Sequence, residues 1–166
     1  MIALTLGLLL FLGVHSIRIF ANVWRARQLT RLGARRWKAL YGLASLAGLA
    51  LVIWGFGVAR SEPFVLWSPP KAIRHLTAAV TLVAFVLIAA AYVPGNHIKA
   101  KVGHPMVLGV MTWALAHLLA NGTVAHVILF GGFFLCAGAD FFPRAPATAQ
   151  PAGAIPSRVR GVMCWR

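Results

Sequence analysis

The sequence predicts an all-α, polytopic transmembrane helical bundle of about five spans, with the N-terminus outside. Three observations carry this expectation. Hydrophobic residues make up 60% of the chain and charged residues only 11%, against about 25% charged in soluble domains. The mean hydropathy is +0.81. The apolar residues also come in runs approaching the ~20 that a helix needs to cross a ~30 Å hydrocarbon core.

The first run extends from Ile2 to about Val23. It lacks a basic segment before its apolar stretch and a convincing cleavage site, so it reads as a retained helix rather than a signal peptide. A second span runs from about Leu40 to Ala59, with Ala44, Ala47, Gly48 and Gly55 on one face. Small residues at such spacing let helix backbones approach closely. A third span covers about His75 to Val93, a fourth about Pro105 to Ala120, and a fifth about Thr123 to Phe142. The fourth is short, and Asn121-Gly122 makes a tight turn into the fifth. Gly131, Gly132 and Gly138 are expected to pack in the fifth.

Residues 1–142 therefore form one transmembrane domain. Residues 143–166 are rich in Pro and Ala, lack helical periodicity, and read as a disordered or altered tail.

The net charge of +14 resembles that of a nucleic-acid binder, but its placement argues against such a partner. Arg25, Arg27, Arg31, Arg35, Arg36 and Lys38 crowd one short connection after the first span. With the N-terminus outside, thirteen Lys and Arg fall on the inner side and three on the outer. That is the positive-inside bias of a cell-membrane protein, whose basic loop meets anionic headgroups. The partner expected is the lipid bilayer.

Glu62 and Asp140 are the only acidic residues, which nearly excludes paired-carboxylate catalysis and carboxylate-rich metal sites. Cys136 and Cys164 form no motif. Gly-rich phosphate loops and serine triads are also missing from the sequence.

Histidines remain as the chemistry-bearing groups. An imidazole inside a membrane needs a partner or a function. His15 lies in the first span, with Arg18 one turn on. If that helix continues to an interfacial Trp24, His15 is ~13 Å deep at 1.5 Å per residue. His117 lies ~18 Å along the fourth span from Pro105, so the two imidazoles would differ in depth by roughly 5 Å on the same rise. Such a pair suits axial ligation of a haem iron. On spacing alone, histidines that simply bond a nearby Ser, Thr or carbonyl are the slightly favoured reading. Arg18 either snorkels or pairs with an anionic group such as a haem propionate. His104 precedes Pro105 at a helix mouth and either caps the helix or is solvated. His75, His97 and His126 read as interfacial.

Several segments resemble the NnrU family, bacterial membrane proteins associated with denitrification. They are GVHSIRIF (13–20), RRWKALYGLASLAGL (35–49), AAYVPGNHIKAKVGHPMVLGVMTWALAHLLANGT (90–123) and LFGGF (129–133). That family is in turn similar to the haem-binding 15-cis-zeta-carotene isomerase. The isomerase's His-Ser matches His15-Ser16, and its His-Pro and later Ala-His match His104-Pro105 and Ala116-His117. The resemblance implies a bacterial inner-membrane protein supporting nitrite or nitric oxide reduction, in association with a reductase system. It implies haem b on His15 and His117, with His104 as the alternate or supporting group. A haem-dependent cis–trans isomerase of a carotenoid-like polyene and a cofactor-free structural subunit stand as alternatives. A weaker likeness, through GHPMVLG, is to isoprenylcysteine and phospholipid methyltransferases, but no glutamate follows Glu62. The chain departs from the NnrU pattern after Asp140, where a further basic connection and apolar segment are expected.

Overall fold

A computed structural model describes residues 1–142; the Pro/Ala-rich tail expected from residue 143 lies outside the described residues. The elements are α1 (Ile2–Phe20), α2 (Asn22–Ser61), α3 (Lys71–Tyr92), α4 (His97–Val102), α5 (Pro105–Ala120) and α6 (Val124–Phe141). Helices α1, α2, α3 and α6 are long and apolar enough to cross a membrane. The 16-residue α5 is the short span that the sequence leads one to expect; it is ~24 Å long. All described regular structure is helical apart from one isolated bridge, Val65 to Thr123.

Two boundaries differ from expectation. Helix α1 does not run to Trp24: Ala21 leaves helical geometry (φ −131°, ψ 41°), and its N–H closes on the Ile17 carbonyl at 2.9 Å. The basic run from Arg25 to Lys38 is also not an irregular connection. It is helical and forms the first part of α2, interrupted only at Gly33 (φ 78°, ψ 155°). Arg, Leu, Gln, Ala and Lys all favour helix, and Gly33 is the single Gly or Pro between Asn22 and Lys38. Its backbone angles are accessible essentially to glycine alone. Trp24 and Trp37 meet across this bend, ring centroids 5.7 Å apart.

The helices lie side by side in the order α2, α1, α6, α5, α3. Glycines set the closest approach. Gly48 faces the backbone of Phe11, Gly7 that of Val52, and Gly55 that of Leu4. Gly48 and Gly55 of the expected small-residue face thus pack on α1, whereas Ala47, a step of about 100° round the helix from Gly48, is exposed. In α6, Gly132 receives Leu12 and Gly138 faces Met111, but Gly131 meets nothing within 4 Å. The core between α1, α2 and α6 holds Leu4, Leu8, Val52, Ala59 and Ala125. Large apolar side chains also point outward, Ile2 being 79% and Leu135 72% exposed. Lipid tails solvate such a surface as readily as a protein interior does.

The bundle has a basic end, where α1 finishes and α2 starts, and a far end. At the far end the α5–α6 turn is tied to the α2–α3 connection. The Gly122 carbonyl accepts from the N–H groups of Leu66 (2.7 Å) and Trp67 (3.1 Å), and Val124 N–H donates to the Phe64 carbonyl at 3.0 Å. A Cβ on residue 122 would overlap the Trp67 carbonyl oxygen. Gly122→Ala should therefore loosen this tie, losing at least the two bonds to the Gly122 carbonyl at about 1 kcal/mol each. Thermal unfolding in detergent should show a lowered midpoint; an unaltered midpoint would mean that these bonds do not hold the turn.

Candidate functional site

His15 is one turn and a half from the end of α1, in contact with Phe11 (ring centroids 4.4 Å) and Tyr41 (5.6 Å). Its neighbour Ser16 reaches Cys136 of α6 at 3.4 Å. His117 lies nearer the far end of α5, against Trp113 (5.3 Å) and Phe130 (4.9 Å). Both imidazoles are partly buried.

The two share one local geometry. Nδ1 of His15 bonds the Phe11 carbonyl at 2.7 Å, and Nδ1 of His117 bonds the Trp113 carbonyl at 3.0 Å. A carbonyl oxygen can only accept, so Nδ1 must carry the proton in each ring. In the Nδ1–H tautomer of imidazole, Nε2 is unprotonated and its lone pair lies outside that bond. A backbone carbonyl on one ring nitrogen is how proteins fix the tautomer of a histidine that ligates through the other. The carbonyl bond expected of an ordinary membrane histidine is thus present, and it leaves Nε2 outside that bond.

The structure does not bring His15 and His117 together. Ser16 meets α6 at Cys136, whereas His117 meets it at Phe130. Six residues of helix separate these contacts, a difference in level of about 9 Å rather than the expected 5 Å. Because α1 stops at Phe20, His15 sits closer to the basic end. No Cα of α1 lies within 8 Å of one in α5. Rings occupy the route between them, Phe11 lying 5.8 Å from Phe133 and Phe133 5.6 Å from Trp113.

His104 is exposed at the basic-end mouth of α5, as the residue preceding a helix that starts with Pro105. Arg18 is exposed in the last turn of α1. Neither joins His15 or His117. Asn121 ends α5 by donating Nδ2–H to the His117 carbonyl at 2.8 Å. Asn96 caps α4, its Oδ1 accepting from Lys99 N–H at 2.7 Å.

The sequence reads His126 as interfacial, whereas the structure packs it among rings. It stacks on Phe130 (6.0 Å, 19° between planes), meets Phe56 edge-on at 5.2 Å, and holds Thr123 Oγ1 at 2.6 Å through Nδ1. Phe130, buried, thus contacts two histidines. The signal lay in the i, i+4 spacing of His126 and Phe130 on α6. Among the described residues, no group of three or more His, Cys, Asp or Glu could hold a bare metal ion. An axial haem ligand needs no such cluster, since the macrocycle supplies the other donors.

Apolar helices that pack through glycines, with lipid-facing Leu and Ile outside, define a multi-pass helical membrane protein with imidazoles in its interior. The chain belongs to the NnrU family: the family model described as NnrU protein matches residues 3–162. That match continues through the Pro/Ala-rich segment to residue 162. No curated protein and no solved structure gives a match.

Proposed function

We propose that the chain is a haem b protein of the bacterial inner membrane that supports denitrification, with His15 and His117 as the axial donors. The observation that carries this reading is the shared Nδ1-to-carbonyl bond, which readies two membrane imidazoles to ligate through Nε2. Haem iron supplies one-electron chemistry or small-molecule binding when present. The residues around it pack against both rings, and the carbonyl bonds fix how each imidazole is oriented. Phe11, Phe133 and Trp113 stand between the two histidines, so iron held by both requires those rings to give way. Arg18 and His104 sit at the basic end, where they suit propionate pairing and alternate ligation. The partner is a nitrite or nitric oxide reductase system.

A deletion strain tests the role. Growth on nitrate without oxygen should fall and should return with the wild-type chain but not with a His117→Ala chain. Unimpaired growth of the deletion strain contradicts the denitrification role.

One observation favours a second reading, a haem-dependent cis–trans isomerase acting on a carotenoid-like polyene. An apolar groove of about 350 Å³ runs along α1 and α6, lined by Leu8, Leu12, Gly13, Ser16 and Gly132. It adjoins the His15 turn, and its lining is apolar, as contact with a polyene requires. Isomerisation of a 15-cis polyene by purified protein, assayed by chromatography, is the expected result under this reading alone.

A further inference from the structure

We propose that the elbow of α2 is a binding site for the phosphate of anionic phospholipids at the basic end. Arg27, Arg31, Arg35 and Arg36 are all exposed there, two on each side of Gly33. A straight helix would place residues 24 and 37 ~20 Å apart along its axis. The Gly33 bend instead brings Trp24 and Trp37 into edge-to-face contact at 5.7 Å. The two basic arms are therefore folded toward each other and not spread along a rod.

Crowding guanidinium groups costs repulsion unless an anion offsets it. The chain provides no such anion nearby: no Asp or Glu lies between residues 22 and 61, and the whole sequence has two. The two tryptophans identify where the anion is, because indole rings settle at headgroup depth. An Arg fork matches phosphate oxygens in bidentate fashion, so phosphate is the group recognised. A bilayer also supplies that group at high local concentration. The elbow thus converts a general attraction for the membrane surface into a site with a defined occupant.

Native mass spectrometry of the detergent-purified protein tests this by titrating phosphatidylglycerol against phosphatidylcholine of the same acyl chains. Phosphatidylglycerol should bind at least about tenfold more tightly. The R31Q/R35Q/R36Q variant should lose that preference, since each surface charge contributes on the order of fivefold. These side chains are exposed, so the variant should keep its unfolding midpoint. The G33A variant retains every charge and straightens the elbow; its preference should also weaken. Equal binding of the two lipids, or an unchanged preference in either variant, overturns the proposal. Displacement of the lipid by millimolar inorganic phosphate overturns it too, by making the elbow a site for free ions.

Discussion

His117→Ala is expected to lower haem affinity by more than about a hundredfold, because losing an outer-shell partner of a ligating residue already costs 10- to 100-fold. His15→Ala should do the same if both imidazoles hold one iron. Should the Phe11–Phe133–Trp113 rings keep them apart, His15→Ala will leave the iron on His117 and its spectrum intact. Haem content by pyridine haemochrome, read with the spin state of the ferric protein, distinguishes these cases. His104→Ala serves as comparison: an exposed residue at the α5 mouth should leave haem content close to wild type. A haem loss confined to His104→Ala would move the site to the basic end.

The second large effect is structural. Gly55→Leu should undock α1 from α2. A Cβ at residue 55 would already overlap the Leu4 backbone nitrogen and lie 2.7 Å from the Ala3 carbonyl carbon. Backbone cannot yield as a side-chain tip does, so even Ala should cost at least the 1–3 kcal/mol typical of overpacking. Leu should cost more. In a membrane, packing rather than hydrophobic exclusion holds helices together, so little else offsets the loss. Gly57 provides the control two residues on, with nothing within 4 Å of its would-be Cβ. Gly57→Ala should be neutral, or stabilising by up to about 1 kcal/mol from helix propensity. Unfolding midpoints in detergent check both; equal midpoints for the Gly55 and Gly57 variants would contradict the interlock.

The spans were legible because each is a long apolar run, and the α2 packing face because Gly48 and Gly55 recur at helical spacing. The helical state of the basic run was harder to see. Charge suggested a solvated connection, although its Arg, Leu and Gln content and lack of Pro pointed to helix. The end of α1 at Ala21 carries only a weak local sign, Asn22 just after it and Arg18 in its last turn, with neither Gly nor Pro to mark it. That one break shifted His15 toward the basic end and opened the level difference from His117. The rings between them were also hidden. Phe11, Phe133 and Trp113 look like lipid-facing residues until helix rotation is known, and rotation is set by tertiary packing. The histidines themselves were legible as costly groups in an apolar setting, and a carbonyl bond was one open reading for each; that both use Nδ1 on the carbonyl four residues back needed the structure.

The central claim is that these membrane imidazoles hold haem. The absorption spectrum of the detergent-purified chain, expressed with haem supplementation, addresses it most directly. A Soret band that co-purifies with the protein at stoichiometric haem is the predicted result. Protein that is folded, as judged by its helical circular dichroism, yet shows no Soret band would contradict it.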